Sequence, residues 1–132
     1  MFSNDINRKR DKLSLKAVQR QIIVGSMLGD GYLYPTVSNP RYQLQNKQKP
    51  DLGGYYWFKT IAHKELLEYR EIFYKNRTKI IPNNIGDLLK TSLSLAVWYM
   101  DDGSINRSGI NLNTQSFFYQ ENLLLQKTLY AI

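Results

Sequence analysis

At 132 residues, 42% hydrophobic and 22% charged, the chain has the size of one domain and the balance of a globular protein, not a disordered one. Lys+Arg 18 against Asp+Glu 11 gives a net charge of +7 and a pI near 9.6, an excess that suits an anionic partner, nucleic acid before a membrane surface. Without cysteine there are no disulfides, zinc ribbons or thiol catalysis, and the sequence holds no run of spanning length and no secretory-type apolar stretch in Met1–Arg20.

Residues 1–13 read as a polar, loosely ordered lead carrying Arg8, Lys9, Arg10 and Lys12, a solvated charge run that also offers non-specific phosphate contacts. The first helix is predicted from about Leu15 to Gly29. Val18, Ile22, Gly25 and Gly29 share one stripe, and Ile23 and Met27 lie on another. Gly25 and Gly29, four apart, let a second helix come very close. The pattern then changes to period 2: Arg41-Tyr42-Gln43-Leu44-Gln45 alternates, with Arg41, Gln43 and Gln45 on the polar face. Asn46 to Gly54, with Pro50, Gly53 and Gly54, reads as a loop. Tyr55 to Thr60 is an aromatic-rich strand, better explained as sheet core than as a stacking platform for single strands.

An amphipathic helix follows from about His63 to Tyr74, burying Leu66, Tyr69 and Phe73, with a capping or surface role for His63. A short helix begins near Pro82, and a second apolar helix is capped by Thr91 or Ser92. Asn106-Arg107-Ser108-Gly109 is a hairpin turn. Ile110 to Gln115 alternates with Asn111, Asn113 and Gln115 outward, and a last helix runs from about Gln120 to Tyr130. Amide-rich strand faces of this kind also occur on any half-buried sheet. On a chain of charge +7 they favour readout of base edges, where Arg and Lys meet guanine and Gln and Asn meet adenine.

One design is written twice. Ile23-Val24-Gly25-Ser26-Met27-Leu28-Gly29-Asp30-Gly31 is an apolar run ending in Asp-Gly, and Leu95-Ala96-Val97-Trp98-Tyr99-Met100-Asp101-Asp102-Gly103 repeats it. Glycine is expected to supply a left-handed turn at each helix end. An acid there opposes the helix dipole at a cost of about 0.3–1 kcal/mol, and two such ends side by side raise the pKa of one carboxylate unless a cation neutralises them. A divalent cation such as Mg²⁺ answers that conflict. A single Asp-Gly is an ordinary turn; two, each closing an almost uncharged helix, are a device. A calcium loop on Asp101-Asp102-Gly103-Ser104 fails, because the alternating acids and the later Glu of an EF-hand are missing.

At these residues the chain resembles the LAGLIDADG homing endonucleases, in the branch whose second motif reads like LAVWYMDDGS. Tyr55–Thr60, His63–Tyr74, Lys79-Ile80-Ile81-Pro82 and Asn113–Phe117 resemble that branch in order. The resemblance implies an α/β (α+β) fold of two pseudo-repeated αββαββα-type units with packed motif helices. The first repeat is 14–90 and a partial second is 91–132, within one domain 14–132. It implies Mg²⁺ or Mn²⁺ held by Asp30 and Asp102. Gln115 organises the attacking water, with Asn46 or Lys47 as its counterpart in the first repeat, and Lys79 stabilises phosphate charge; outside the family frame Lys79 would be a solvated loop lysine. Duplex DNA is expected to be read by Arg41, Gln43, Gln45, Lys47, Asn111 and Asn113, and the helix interface is expected at Gly25, Gly29, Ala96 and Val97. Asp101 falls at a usually small position and is not assigned to the metal, which leaves it a supporting or a solvent-facing acid; Val97 likewise replaces a small partner-facing residue.

Two departures stand out. A helix and a strand are missing between Gln45 and Tyr55, and the second repeat stops after its first internal helix, as in a shortened or split reading frame. The implied function is an intron-encoded endonuclease cutting double-stranded DNA. The alternative is a non-cleaving nucleic-acid-binding protein of the same fold, a splicing maturase or inactive remnant, with intron RNA and a complementing polypeptide as further partners. Asn, Lys, Ile and Tyr, all with AT-rich codons, make up about a third of the residues, which points weakly to a mitochondrial or chloroplast gene.

Overall fold

Two apolar helices must bury each other in so small a protein, and the arrangement follows from that pair. In the computed structural model, which describes residues 2–34, 41–47, 55–60 and 62–132, α2 (Ala17–Leu28) lies directly against α5 (Ser92–Asp102). Each runs into a strand. From α2 the chain enters β1 (Gly31–Tyr34), which pairs antiparallel with β2 (Arg41–Lys47), and β2 pairs with β3 (Tyr55–Lys59). From α5 it enters β6 (Gly103–Asn106), which among the described residues pairs only with β7 (Gly109–Leu112). For β2 and β3 the backbone pairing alone is described, and the predicted loop over 48–54 lies outside the described residues.

Between these halves come α3 (Lys64–Phe73), the short hairpin β4 (Tyr74–Lys75) and β5 (Thr78–Lys79), and α4 (Ile85–Leu88); α6 (Tyr119–Tyr130) closes the chain against α4. Local chemistry sets the boundaries. His63 Nδ1 accepts the Glu65 N–H, leaving Nε2 to donate to Leu13 O at 2.8 Å, so the histidine caps α3 and ties down the segment before α2. Thr91 Oγ1 accepts the Ser94 N–H at 3.2 Å, the expected cap of α5. The β4–β5 turn places Asn76 and Arg77 at φ 50° and 67°, as a two-residue type I′ turn requires.

The core gathers Ile23, Val24, Met27 and Leu28 of α2 with Leu33, Leu66, Tyr69, Phe73, Ile85, Leu89, Trp98 and Leu125. The predicted buried face of α3 is therefore correct. Three expectations need correction. The lead is not loose: α1 spans Phe2–Lys12, with Lys9, Arg10 and Lys12 in its last turn, where they complement the helix dipole. On α2 the stripe beginning at Val18 and Ile22 is exposed, and contact with α5 begins further on, nearer Gly25. Neither motif glycine is left-handed, a point taken up below.

The two halves are unequally covered. Leu33 of β1, beneath α3, is 0% exposed, whereas Ile105, equally far past its motif aspartate, is 80% exposed. Leu28 is 1% exposed and Met100, its counterpart on α5, 73%. A largely apolar cleft of about 630 Å³ lies along the helix pair, its wall including Leu13, Ile22, Leu93, Val97 and Met100. No helix among the described residues is long and apolar enough to cross a membrane.

Candidate active site at the helix ends

Glycine in α2 is what lets the two helices meet. A Cβ on Gly25 would lie 2.3 Å from the Ser94 carbonyl oxygen and 2.9 Å from Val97 Cβ; one on Gly29 would lie 2.5 Å from Asp101 Cβ. The helices therefore interlock unevenly. The positions where α5 carries Val97 and Asp101 are met by α2 positions with no side chain, so the larger residues fit. Ser94, fully buried, donates its hydroxyl to Gln21 O at 2.6 Å and stitches the pair together. Ala96, expected at this interface, is exposed instead; the contacts come from Ser94, Val97 and Asp101.

The chain leaves each helix without a left-handed residue. Gly29 sits at φ −101°, ψ −132° and Gly103 at φ −84°, ψ 156°; among the described residues only Gly109 is a glycine with positive φ, at 159°. Crowding explains the motif glycines instead. A Cβ on Gly31 would be 2.2 Å from Ser26 Oγ, and one on Gly103 would be 2.5 Å from the Tyr99 carbonyl oxygen. The strand folds back so tightly over the last turn of its helix that a side chain has no room, which presents Asp30 and Asp102 at the foot of the pair.

The acids meet there. Burial, and then the charges of Asp30 and Asp101 facing it, raise the Asp102 pKa to about 6 against the opposing pull of Lys79. Asp101 is also raised, first by burial. Its Oδ2 accepts the Asp30 backbone N–H at 3.2 Å. Lys79 reaches the same place from β5: its ammonium donates to Gly29 O at 2.8 Å and Gly31 O at 2.5 Å. Burial lowers Lys79 to about 8, although Asp102, Asp30 and Asp101 all favour its charged form. One lysine thus faces three carboxylates, and part of its charge is spent on carbonyls.

Among the described residues no group of three or more His, Cys, Asp or Glu side chains is set to hold a metal ion. A hard divalent cation needs less, since Mg²⁺ keeps its waters and binds proteins through one or two carboxylates. The unneutralised charge beside Asp102 fits such an ion. On the same side Asn113 N–H donates to Asp102 O at 3.1 Å, which anchors the exposed segment holding Gln115 two residues on. Asn111, also exposed, accepts from Asn106 Nδ2 at 2.9 Å across the β6–β7 hairpin. Arg41, Gln43, Gln45, Asn46 and Lys47 all fall on β2, and their side chains lie outside what is described. The register bears on Asn46. Gly31 pairs with Leu44 and Gly103 with Leu112, so three residues on from each partner come Lys47 and Gln115.

For Asp101 the sequence left a supporting acid and a solvent-facing one both open; the packing sets it against Gly29, its counterpart across the repeat, where a large residue matched with glycine marks a contact.

Two acids at the feet of packed helices, each helix running into an antiparallel hairpin, define an α+β protein of the homing-endonuclease fold. The whole arrangement superposes on the homing endonuclease I-WcaI bound to its DNA recognition sequence with a TM-score of 0.79 at 24% identity, covering 96% of this chain and 72% of that one. Residues 36–132 match the profile of the LAGLIDADG DNA endonuclease family, and the chain belongs to that family. It is 35% identical over 80 residues to probable intron-encoded DNA endonuclease 3 of Mycosarcoma maydis, covering 56% of this chain and 59% of that protein. It is 30% identical over 88 residues to the cytochrome b mRNA maturase bI2 of Debaryomyces hansenii, covering 67% of this chain and 33% of that protein. The chain is shorter than these relatives, spanning between about a third and three fifths of their length.

Proposed function

We propose that this chain is an intron-encoded endonuclease that cleaves double-stranded DNA, with Asp30 and Asp102 holding Mg²⁺ or Mn²⁺ at the scissile phosphates. The observation that carries the reading is the meeting of the two motif ends at one helix foot: Asp101 of α5 accepts the Asp30 N–H, and Lys79 binds the carbonyls of Gly29 and Gly31 on either side. When bound, the metal would supply Lewis-acid stabilisation of phosphate oxygens and a more acidic water. The protein's own part is positional. Asp30 and Asp102 fix where the metal sits. Lys79 offsets phosphate charge with what its two carbonyl bonds leave free. Gln115 orients the attacking water on one side; the strand register favours Lys47 over Asn46 as its counterpart on the other.

In this reading the chain is one domain, 14–132, behind a basic segment 1–13. A first αββαββα-type repeat over 14–90 is followed by an incomplete second over 91–132. Arg41, Gln43, Gln45 and Lys47 on β2 and Asn111 and Asn113 at β7 read the DNA, with the net charge of +7 supplying salt-sensitive phosphate contacts. The relatives' names, an intron-encoded DNA endonuclease and a cytochrome b mRNA maturase, support an intron-borne gene, and an organellar one is proposed with it.

The test is cleavage of a plasmid library carrying candidate insertion sites, with Mg²⁺ or Mn²⁺. Asp30→Asn and Asp102→Asn should each abolish cutting and leave salt-sensitive DNA binding within about twofold. Binding that does not change between about 50 and 200 mM salt would remove the DNA assignment. A second reading, a nucleic-acid-binding protein that does not cleave, draws on one observation: Met100, Ile105 and Ile110 lie bare on the second half, the face a complementing polypeptide would cover. Binding of intron RNA or DNA with no cleavage of any site, even with such a fragment added, would select it.

A further inference from the structure

We infer that Asp101 is a positioning residue for Asp30: from the end of α5 it holds the joint between α2 and β1 on which Asp30 sits. The inference rests on the reading of Asp30 as the acid that acts at the site.

Asp30 lies where neither regular element secures it. Helix α2 ends at Leu28, and the Gly29 N–H turns back to Gly25 O and Ser26 O; pairing in the sheet resumes at Gly31. The groups between are fixed from outside. Lys79 binds the carbonyls of Gly29 and Gly31, and Asp101 accepts the N–H of Asp30. One backbone group on each of three successive residues is therefore held by two side chains from other parts of the fold. Asp30 is exposed, so without the Asp101 acceptor its N–H would turn to solvent, and a joint free to rotate would swing the Asp30 carboxylate away from Asp102.

The device works in one direction only. Asp101 comes close because Gly29 has no side chain: a Cβ there would lie 2.6 Å from Asp101 Oδ2. At the foot of α5 the matching position on α2 is Gly29 itself, which offers no acceptor, and the turn is secured instead by Gly103 N–H to Tyr99 O and Asn113 N–H to Asp102 O. A third carboxylate beside two others is electrostatically unfavourable, so an acceptor is what Asp101 adds that a small residue would not.

The alternative is that Asp101 contributes charge or ligates metal directly, and asparagine separates the two. Asp101→Asn keeps an acceptor oxygen and loses the charge; Asp101→Ala loses both. The full 132-residue chain, ¹⁵N-labelled, is compared by hydrogen exchange at the Asp30 amide without metal and by Mn²⁺ titration calorimetry. Protection of that amide in the wild type and in Asp101→Asn, a loss of about tenfold or more in Asp101→Ala, and a drop in Mn²⁺ affinity of about five- to tenfold in Asp101→Ala alone, are expected. Should Asp101→Ala not fold, Asp101→Val, which also lacks both acceptor and charge, provides the same contrast. An unprotected Asp30 amide in the wild type, or an Asp101→Asn protein as impaired as Asp101→Ala, overturns the inference. Mn²⁺ binding unchanged by Asp30→Ala would instead overturn the metal assignment, and the amide contrast would still decide the role of Asp101.

Discussion

Replacing Gly25 by alanine tests the helix pair most directly, because the outcome has a sign that helix propensity alone would reverse. Alanine is favoured over glycine in a helix by roughly 0.8–1 kcal/mol. Against that, the new methyl carbon would stand 2.3 Å from the Ser94 carbonyl, where ordinary contact begins at 3.4 Å. The obstacle is helix backbone, so no rotamer change relieves it, and α2 and α5 must part by about 1 Å at this level. Overpacking of this kind costs about 1–3 kcal/mol. The same movement stretches the 2.6 Å bond from Ser94 Oγ to Gln21 O beyond hydrogen-bonding range, losing about 1 kcal/mol more. The net expectation is destabilisation by about 1–3 kcal/mol, a fall in Tm of roughly 4–12 °C for a domain of this size. Gly86→Ala is the internal control. A Cβ there meets nothing nearer than Thr128 Oγ1 at 3.9 Å, so it should stabilise by roughly 0.4–1 kcal/mol. Urea titrations of both variants, followed by far-UV circular dichroism, read the two signs. A Gly25→Ala protein as stable as wild type, or shifts of equal sign at both sites, would refute the reasoning.

Other expectations follow from the same geometry. Leu33→Ala should cost about 2–5 kcal/mol, while Ile105→Lys should stay within about 0.5 kcal/mol, since one side chain is buried under α3 and the other lies in solvent; a large loss from Ile105→Lys in urea melts would mean that the second half is covered. Glu65 binds Leu15 N–H, Ser14 Oγ and Arg20, which lowers its pKa from 4.5, the Leu15 bond contributing most. A lowered folded pKa gives stability that is complete above the unfolded value and disappears as pH falls through the folded one. The stability gap between wild type and Glu65→Gln should therefore be flat above about pH 5.5 and shrink below 4.5; a gap that widened on acidification would show the sign to be wrong. Lys79→Met should lower stability by about 1–3 kcal/mol through two partly buried carbonyls that lose their lysine donor, and a Tm equal to wild type would place the ammonium elsewhere.

Much of the fold could be read from the sequence because its signals were local. The period of Leu66, Tyr69 and Phe73, the cap residues His63 and Thr91, and the Asn106–Gly109 turn each act within a few residues of themselves. Other features depend on groups far apart in the chain. Glu65 meets Leu15 and Glu121 meets Ile81 across 50 and 40 residues, and no spacing announces either bond. The β4–β5 hairpin was missed because its strands are two residues long, too short for any periodicity, and its left-handed turn uses Asn76 and Arg77 with no glycine. Of the site, the two acids and the nearby lysine were readable as residue types in a motif. What Lys79 touches and how Asp101 is used follow from the packing distance between two helices, which the sequence implied only through its glycines.

Those glycines also set what the paired motifs can become. A symmetric interface between like helices would require small residues on both sides, and α5 breaks that rule at Val97 and Asp101. The breach is absorbed because α2 carries Gly25 and Gly29 where those residues press. The two motif helices are therefore complementary and not interchangeable: each larger residue on α5 occupies space that only glycine on α2 leaves open. The same asymmetry separates the two acids. Asp30 is held through Lys79 and Asp101, whereas Asp102 sits where burial and the two neighbouring charges raise its pKa to about 6. A cation shared at this foot would meet one carboxylate fixed by the scaffold and one waiting to be neutralised, a division of labour that began with a Gly-for-Val and a Gly-for-Asp difference between two copies of one pattern.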